Sequence, residues 1–254
     1  MTLRAADREE LPERTAVRDA VVTSAASVLV CGTVALWVGM VAASAALAAL
    51  VGVALVGAAA VAVGVRADRR SSPADRVTLA RTVLVGGTAT LVVLALLGEA
   101  PERSWWLIAL AAPAAILDSV DGAVARRTGT SSVAGARLDM EVDAALLLVL
   151  SVALGPVVGW WVLGVGLARY AFVLAGLLRP QLQEPLPYSL ARRVVAGAQA
   201  AVLVTALAPF VPVVLAQVVT AVALAALVSS FGRDVVALER RGRVAAGRQE
   251  RTAR

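Results

Sequence analysis

Residues Asp118–Asp143 have the sequence DSVDGAVARRTGTSSVAGARLDMEVD, which places four aspartates in a mostly apolar chain. Asp118 and Asp121 are spaced i, i+3, and Asp139 and Asp143 are spaced i, i+4, so on helices each pair presents two carboxylates on one face. The segment between the pairs is rich in Gly, Ser and Thr, which predicts a turn joining two helices. Two helices joined in this way can bring four carboxylates together. Oxygen ligands of this kind are those that Mg²⁺ prefers.

Long apolar stretches on both sides of this segment determine the fold class. Of the 254 residues, 59% are hydrophobic and only 4% are aromatic. Apolar runs of about 20 residues, enough to cross a bilayer, recur along the whole chain. The sequence therefore predicts an all-α protein, a polytopic transmembrane helical bundle with about eight spans.

The predicted spans divide the chain into regions. No charged residue occurs from Ala20 to Val65, a length of roughly two bilayer crossings. We expect two spans there, joined by a turn near Ala42–Ala46, and the residues give this hairpin no function beyond packing or contact with a partner. The predicted regions are a tail at 1–19, the hairpin at 20–65, a basic linker at 66–73, a six-helix core at 74–231 and a basic tail at 232–254.

Local signals predict the ends of two core helices. Ser72 or Asp75 is expected to cap a helix whose first turn contains Pro73. The span that follows the second aspartate pair is expected to end at Gly155-Pro156, because proline interrupts a helix.

The charges predict a membrane orientation. The net charge is +6, and the arginines lie between the apolar spans, which favours contact with anionic lipid headgroups over nucleic acid binding. Arginine-rich segments alternate along the chain with segments that are poor in positive charge. The positive-inside rule therefore predicts that both termini and the aspartates face the cytoplasm of a cell membrane or inner membrane. The chain contains no histidine, which excludes histidine catalysis, and its single cysteine, Cys31, excludes an internal disulfide.

The aspartates belong to a longer motif: Asp118, two residues, Asp121-Gly122, two residues, Ala125-Arg126, eight residues, Gly135, three residues, Asp139, three residues, Asp143. This motif resembles that of the CDP-alcohol phosphatidyltransferase family, with every fixed position filled and every gap of the right length. Thr78 and Arg81 are similar to part of the family's Asn-x-x-Thr-x-x-Arg stretch, although Asp75 stands where asparagine is usual. The resemblance covers residues 74–231 and implies a homodimer.

The resemblance also implies an activity. Members transfer a phosphatidyl-type group from a CDP-linked donor, here CDP-diacylglycerol, to an acceptor alcohol and release CMP in phospholipid biosynthesis. Four carboxylates in one cavity repel each other, and two Mg²⁺ or Mn²⁺ ions would neutralise them. By position in the motif, the metal ligands are Asp118, Asp121, Asp139 and Asp143, and Asp143 is also the catalytic base. The resemblance places the CDP site at Thr78, Arg81, Asp118, Gly122, Ala125, Arg126 and Gly135.

The candidate acceptor pocket rests on weaker patterns. Arg169 lies with Tyr170 inside a predicted span, where an arginine usually has a function, although snorkelling to the interface is the alternative. A polar loop adds three more candidates, for which contact with lipid headgroups is the alternative: Ser189, Arg192 and Arg193. The acceptor alcohol itself is left open.

Two other functions compete with catalysis. One is a non-catalytic homologue kept for assembly, against which the intact motif argues. The other is a cation-binding membrane scaffold or transporter. Transporter folds often contain internal repeats with sites near the midplane, whereas this chain has no convincing repeat and its aspartates lie near one interface.

Overall fold

The computed structural model describes residues 15–65, 71–128, 132–179 and 190–252, and places their side chains except at 119–128, 190–193, 234 and 237–252. This part of the chain contains eight α-helices and one short 3₁₀ helix, Trp160–Val162, and no strand. The α-helices are α1 (Thr15–Val38), α2 (Ala42–Gly64), α3 (Pro73–Leu96), α4 (Trp105–Thr128), α5 (Val133–Val158), α6 (Leu163–Leu178), α7 (Leu190–Leu207) and α8 (Val213–Thr252).

Six stretches of helix are long and apolar enough to cross a membrane: Thr15–Val38, Ala42–Gly64, Pro73–Leu96, Val133–Val158, Trp160–Leu178 and Val213–Arg233. The helices α4 and α7 contribute shorter apolar segments, Trp105–Asp118 and Val194–Leu207. The prediction of an all-α polytopic bundle is confirmed, and the protein is an integral membrane protein.

Helix α3 lies at the centre of the bundle, where it packs against α1, α2, α4 and α5. In its apolar span 72% of the residues are buried, against 22% in α1 and 28% in α2. Its buried threonines, including Thr82 and Thr90, donate their hydroxyls to carbonyls one turn earlier, so these polar groups are satisfied within the helix. Both predicted capping residues take part at its start, since Ser72 Oγ accepts from the Asp75 amide and Asp75 Oδ2 accepts from the Ser72 amide.

The N-terminal hairpin, formed by α1 and α2, packs closely on α3 through glycines. A Cβ added at Gly52 would lie 2.6 Å from the Gly86 carbonyl oxygen and 2.8 Å from Cys31 Sγ. Only glycine therefore lets the backbones of α2 and α3 approach at this point, as small residues do between other membrane helices. At the start of α3, the Arg76 guanidinium pairs with Asp19, which lies near the start of α1, at 2.7 Å.

The turn of the hairpin lies at residues 39–41, so the predicted turn near Ala42–Ala46 is wrong by about one helical turn. At Gly39 a Cβ would lie 2.6 Å from the Ala35 carbonyl oxygen. The amides of Met40 and Val41, which precede α2, donate to Glu99 Oε2 at 2.8 and 3.3 Å. The start of α2 is thus capped by a carboxylate 58 residues further along the chain, which no local pattern reveals.

One other predicted helix end also differs. Helix α5 continues through Pro156 to Val158, because a proline this close to the end removes only one terminal hydrogen bond. The helix ends at Gly159, whose φ of 112° is a conformation that L side chains rarely adopt. Helix α8 runs without a break from the last span into the predicted basic tail.

The loop between α3 and α4, together with the start of α4, joins three parts of the bundle; we call residues 97–106 the tie loop. Glu99 caps α2, and the Arg103 guanidinium donates to the Leu207 carbonyl at the end of α7 and, at 2.6 Å, to the Val211 carbonyl in the connection that follows. Trp105 stacks on Phe210 with ring centroids 5.8 Å apart, and Trp106 meets Trp37 of α1 edge-on at 4.7 Å. The tie loop thus fastens the hairpin and α7 to the core at one end.

Replacing Glu99 with alanine should lower the midpoint of thermal unfolding in detergent, because the amides that precede α2 lose their acceptor. Hydrogen bonds from Ser44 and from the amides of Val41 and Met40 lower the pKa of Glu99 below its ordinary value of 4.5. Its stabilising contribution is therefore present above pH 4.5 and is lost as the pH falls through the lowered pKa. The difference between the native protein and the Glu99→Ala variant should accordingly shrink in acid.

Glu102→Ala is the matched control, because Glu102 is an exposed glutamate of the same loop. A similar midpoint for the two variants at neutral pH would contradict the capping role of Glu99.

Candidate active site

Three of the four motif aspartates meet at one end of the bundle. Asp118 of α4 and Asp139 and Asp143 of α5 each offer one carboxylate oxygen, and these oxygens lie within 4.8 Å of one another. Their side chains are half-buried, with 34–40% of their surface exposed. The fourth, Asp121, lies on the helical backbone of α4, but its side chain is outside the described part of the chain. Three carboxylates this close form a strongly negative centre that suits a divalent cation.

Arg81 of α3 lies in the middle of this cluster. Its guanidinium pairs with Asp118 at 2.6 Å, with Asp139 at 2.7 Å and with Asp143 at 3.1 Å, and its side chain is fully buried. One nitrogen also donates to the backbone carbonyl of Asp139 at 3.2 Å. Planar guanidinium groups hold several carboxylate oxygens at once, so Arg81 orients the aspartates while offsetting part of their repulsion.

The sequence pattern assigned Arg81 to the nucleotide and missed these ion pairs. A signal for them exists, because several carboxylates inside an apolar bundle require a counter-charge. Arg81 lies further along the apolar helix than Arg76 and is therefore the deeper of the two arginines of α3.

The starts of α3 and α5 pack tightly beside the cluster. Ser132 caps α5 by accepting from the Gly135 amide at 2.9 Å. A Cβ at Gly135 would lie 3.0 Å from Ser132 Oγ and 3.4 Å from Asp75 Oδ1, so glycine allows the two helix ends to approach. Thr78 is buried on α3 and donates its hydroxyl to the Ala74 carbonyl. Gly122, Ala125 and Arg126 lie on the helical backbone of α4, and the surroundings of their side-chain positions are outside the described part.

An apolar cleft of about 460 Å³ opens beside the cluster, between α4, α5 and α7. Asp118 and Asp143 line this aspartate cleft, and its other walls are almost entirely apolar. Gly197, Ala200 and Ala201 of α7 also line it. Their i, i+3, i+4 spacing puts small residues on one face of α7, and this spacing is visible in the sequence.

The predicted acceptor residues are not brought to the aspartates in the described part of the structure. The Arg169 guanidinium pairs with Glu141 of α5, and Tyr170 lines a second cavity. Ser189 lies outside the described residues, as do the side chains of Arg192 and Arg193. Their roles in acceptor binding stay predictions.

Comparison with known proteins identifies the family. The family model for CDP-alcohol phosphatidyltransferases matches residues 71–229, more than half of the chain, which confirms the resemblance seen in the motif. The match includes Arg81 and the three clustered aspartates, and it leaves the N-terminal hairpin outside. No curated protein and no solved structure matches the chain.

Replacing Arg81 with methionine should destabilise the protein when divalent cations are absent, because three carboxylates lose their shared counter-charge. We expect the free energy of unfolding to fall by about 3 kcal/mol. This is the lower end of the range for breaking a buried ion pair, because the aspartates keep some contact with solvent. Unfolding midpoints in detergent, measured with EDTA and with Mg²⁺, would test this. Mg²⁺ should stabilise the variant more than it stabilises the native protein.

Arg76→Met is the matched control on the same helix, since Arg76 forms a pair with Asp19 and its side chain is 49% exposed. That pair is expected to contribute less than about 1 kcal/mol. Equal losses in the two variants, or an equal response to Mg²⁺, would show that Arg81 does not compensate the aspartates.

Proposed function

Because the chain belongs to the CDP-alcohol phosphatidyltransferase family, we propose that it transfers a phosphatidyl group from CDP-diacylglycerol to an alcohol and releases CMP. One observation carries this proposal: the clustered carboxylates lie at an apolar cleft within a membrane-spanning bundle. A substrate that combines a diphosphate with acyl chains fits both features at once.

The aspartate cleft supports the choice of a lipid donor. Its small residues on α7 leave room for a hydrocarbon chain, and its apolar walls favour burial of that chain by about 0.8 kcal/mol for each methylene group. With a chain in the cleft, the donor's diphosphate would lie close to Asp118 and Asp143. By the motif, Thr78, Arg81, Gly122, Ala125, Arg126 and Gly135 would contact the CDP moiety.

The donor set is consistent with a magnesium or manganese centre. Carboxylate oxygens are the ligands these hard cations prefer, and Asp118, Asp139 and Asp143 offer them within a few ångströms of each other. We propose that these three residues and Asp121 hold two ions. When bound, such ions would neutralise the carboxylates and stabilise negative charge on the phosphates.

In the reaction we propose, Asp143 accepts the proton of the acceptor hydroxyl. The acceptor oxygen forms a bond to the phosphorus that carries diacylglycerol, while the bond from that phosphorus to the bridging oxygen breaks. The bridging oxygen leaves with CMP. Arg81 keeps Asp143 in position through the 3.1 Å ion pair, so the base is oriented before the acceptor binds. Arg169, Tyr170, Ser189, Arg192 and Arg193 remain the proposed acceptor residues.

The proposal also covers the assembly of the protein and its orientation in the membrane. We propose that the core at 74–231 forms the enzyme and works as a homodimer, with both termini and the aspartates on the cytoplasmic side. Arginine-rich segments at alternate ends of the spans support this orientation.

Asp143→Asn should lower the rate of CMP release by at least about 100-fold, because an amide cannot take up the acceptor proton. The assay is CMP release by the purified protein with CDP-diacylglycerol and Mg²⁺ or Mn²⁺. The acceptors are glycerol 3-phosphate, inositol, inositol phosphate, serine and phosphatidylglycerol. Glu102→Gln, a change at an exposed carboxylate of the tie loop, should leave the rate unchanged.

Turnover with one acceptor would name the product. Folded protein that binds CDP-diacylglycerol only with a divalent cation, yet shows no turnover, would point to an acceptor outside the panel. Folded protein that neither binds nor turns over the donor would favour a non-catalytic homologue or a cation-binding scaffold.

A larger side chain at Gly197 should obstruct the donor without disturbing the fold. A Cβ at Gly197 would meet no described atom within 4 Å, so Gly197→Phe can be accommodated but extends into the aspartate cleft. We expect KM for long-chain CDP-diacylglycerol to rise about tenfold or more, with a smaller effect on a short-chain analogue. Gly32→Phe on α1 is the control, because its Cβ also meets no described atom within 4 Å and Gly32 lines neither cavity. Equal kinetics for the two variants would place the donor elsewhere.

A further inference from the structure

A second cavity, of about 720 Å³, lies between the N-terminal hairpin and the core; we call it the hairpin groove. One wall is formed by α2, through residues that include Ala58 and Ala62, and the facing wall is formed by α5. Both alanines are exposed, so the groove opens to the surface of the bundle. Because both walls belong to apolar spans, a bilayer around the bundle would bring lipid to this opening.

The hairpin groove is separate from the aspartate cleft because it lies on another face of α5. Successive residues of a helix are rotated by about 100°, which places Leu138, Glu141 and Ala145 on the side away from Asp139 and Asp143. Leu138, Glu141 and Ala145 line the groove, whereas both aspartates pair with Arg81. A molecule in the groove therefore leaves the clustered carboxylates free for a substrate.

The groove carries a positive charge at one end. Arg137 and Glu141 of α5 line it one turn apart, at the end where the span begins. Glu141 is held by Arg169 of α6, whereas Arg137 is exposed and has no ion pair or hydrogen bond within the described part of the chain. These three groups leave a net charge of +1 beside a lining that is apolar apart from Thr82 and Tyr170.

We propose that the hairpin groove binds an anionic phospholipid, with an acyl chain along its apolar walls and the phosphate on Arg137. A long apolar surface ends here at the Arg137 guanidinium, which has no partner within the described residues, and this combination matches an amphiphile with a negative head. Free phosphate would gain nothing from the walls, and a zwitterionic lipid would bring a positive group to Arg137. The lipid fills the space that the described residues leave open between α2 and α5.

This proposal gives the hairpin a function, although the hairpin lies outside the residues matched by the family. The bound lipid joins α2 to the outer face of the helix that carries Asp139 and Asp143. It does not depend on the proposed transferase reaction, since its site contains none of the clustered aspartates.

The test measures stabilisation of the detergent-purified protein by added lipid. Unfolding midpoints and the number of retained lipids by native mass spectrometry are compared for dioleoyl-phosphatidylglycerol and dioleoyl-phosphatidylcholine. The native protein should prefer the anionic lipid. Arg137→Gln should weaken binding of that lipid about tenfold, towards the level of the neutral one. Ala62→Trp, which fills the groove from the hairpin side, should reduce binding of both.

Two controls match these changes. Arg233→Gln removes an exposed arginine elsewhere, and Val61→Trp adds the same ring at a neighbouring position of α2 that is 62% exposed and does not line the groove. Both should keep the native preference, as should Gly197→Phe. The proposal is overturned if Arg137→Gln keeps the native preference for the anionic lipid. It is also overturned if Gly197→Phe loses that preference, because the lipid would then lie outside the hairpin groove. Arg137 is exposed, so its variant tests the proposal even if Ala62→Trp fails to fold.

Discussion

The buried guanidinium of Arg81 is the contact on which the arrangement of the core depends. Three carboxylates whose oxygens lie within 4.8 Å would repel each other strongly in an apolar bundle. Arg81 offsets that repulsion from the central helix, and its fork of donors joins α3 to both aspartate-bearing helices. Since an arginine stays protonated at any ordinary pH, this counter-charge is permanent. The aspartates can therefore be oriented before any cation or substrate arrives.

Helix α5 separates two environments. One face carries Asp139 and Asp143 and borders the aspartate cleft, while the other borders the hairpin groove and carries Arg137 and Glu141. The two faces differ in what they can bind, since one offers clustered carboxylates and the other an arginine with no partner among the described residues. In the function and the lipid site that we propose, one helix serves a reaction on one side and holds a lipid on the other, without competition between the two ligands.

Much of this architecture could be predicted from the sequence, because the signals are local. The apolar spans follow from length and hydropathy, and the meeting of Asp118 with Asp139 and Asp143 follows from helical spacing and a short turn. What could not be predicted depends on contacts distant in sequence. The turn at 39–41 is held by Glu99, which lies 58 residues away, and the ion pairs of Arg81 join residues 37, 58 and 62 positions apart. The hairpin groove is a space between helices, which no pattern within one helix encodes.

The tie loop has a mechanical consequence. It fastens α2, α4 and α7 together through Glu99, Arg103 and the tryptophans, at the end of α3 that lies opposite Arg81. Along α3, Arg81 and the last residue, Leu96, are separated by roughly 22 Å of helix. The bundle is therefore fastened at both ends of α3, but by different means. At the far end the tie loop uses hydrogen bonds and stacked rings, whereas at the aspartate end Arg81 joins α3 to α4 and α5 through ion pairs whose carboxylates face an open cleft.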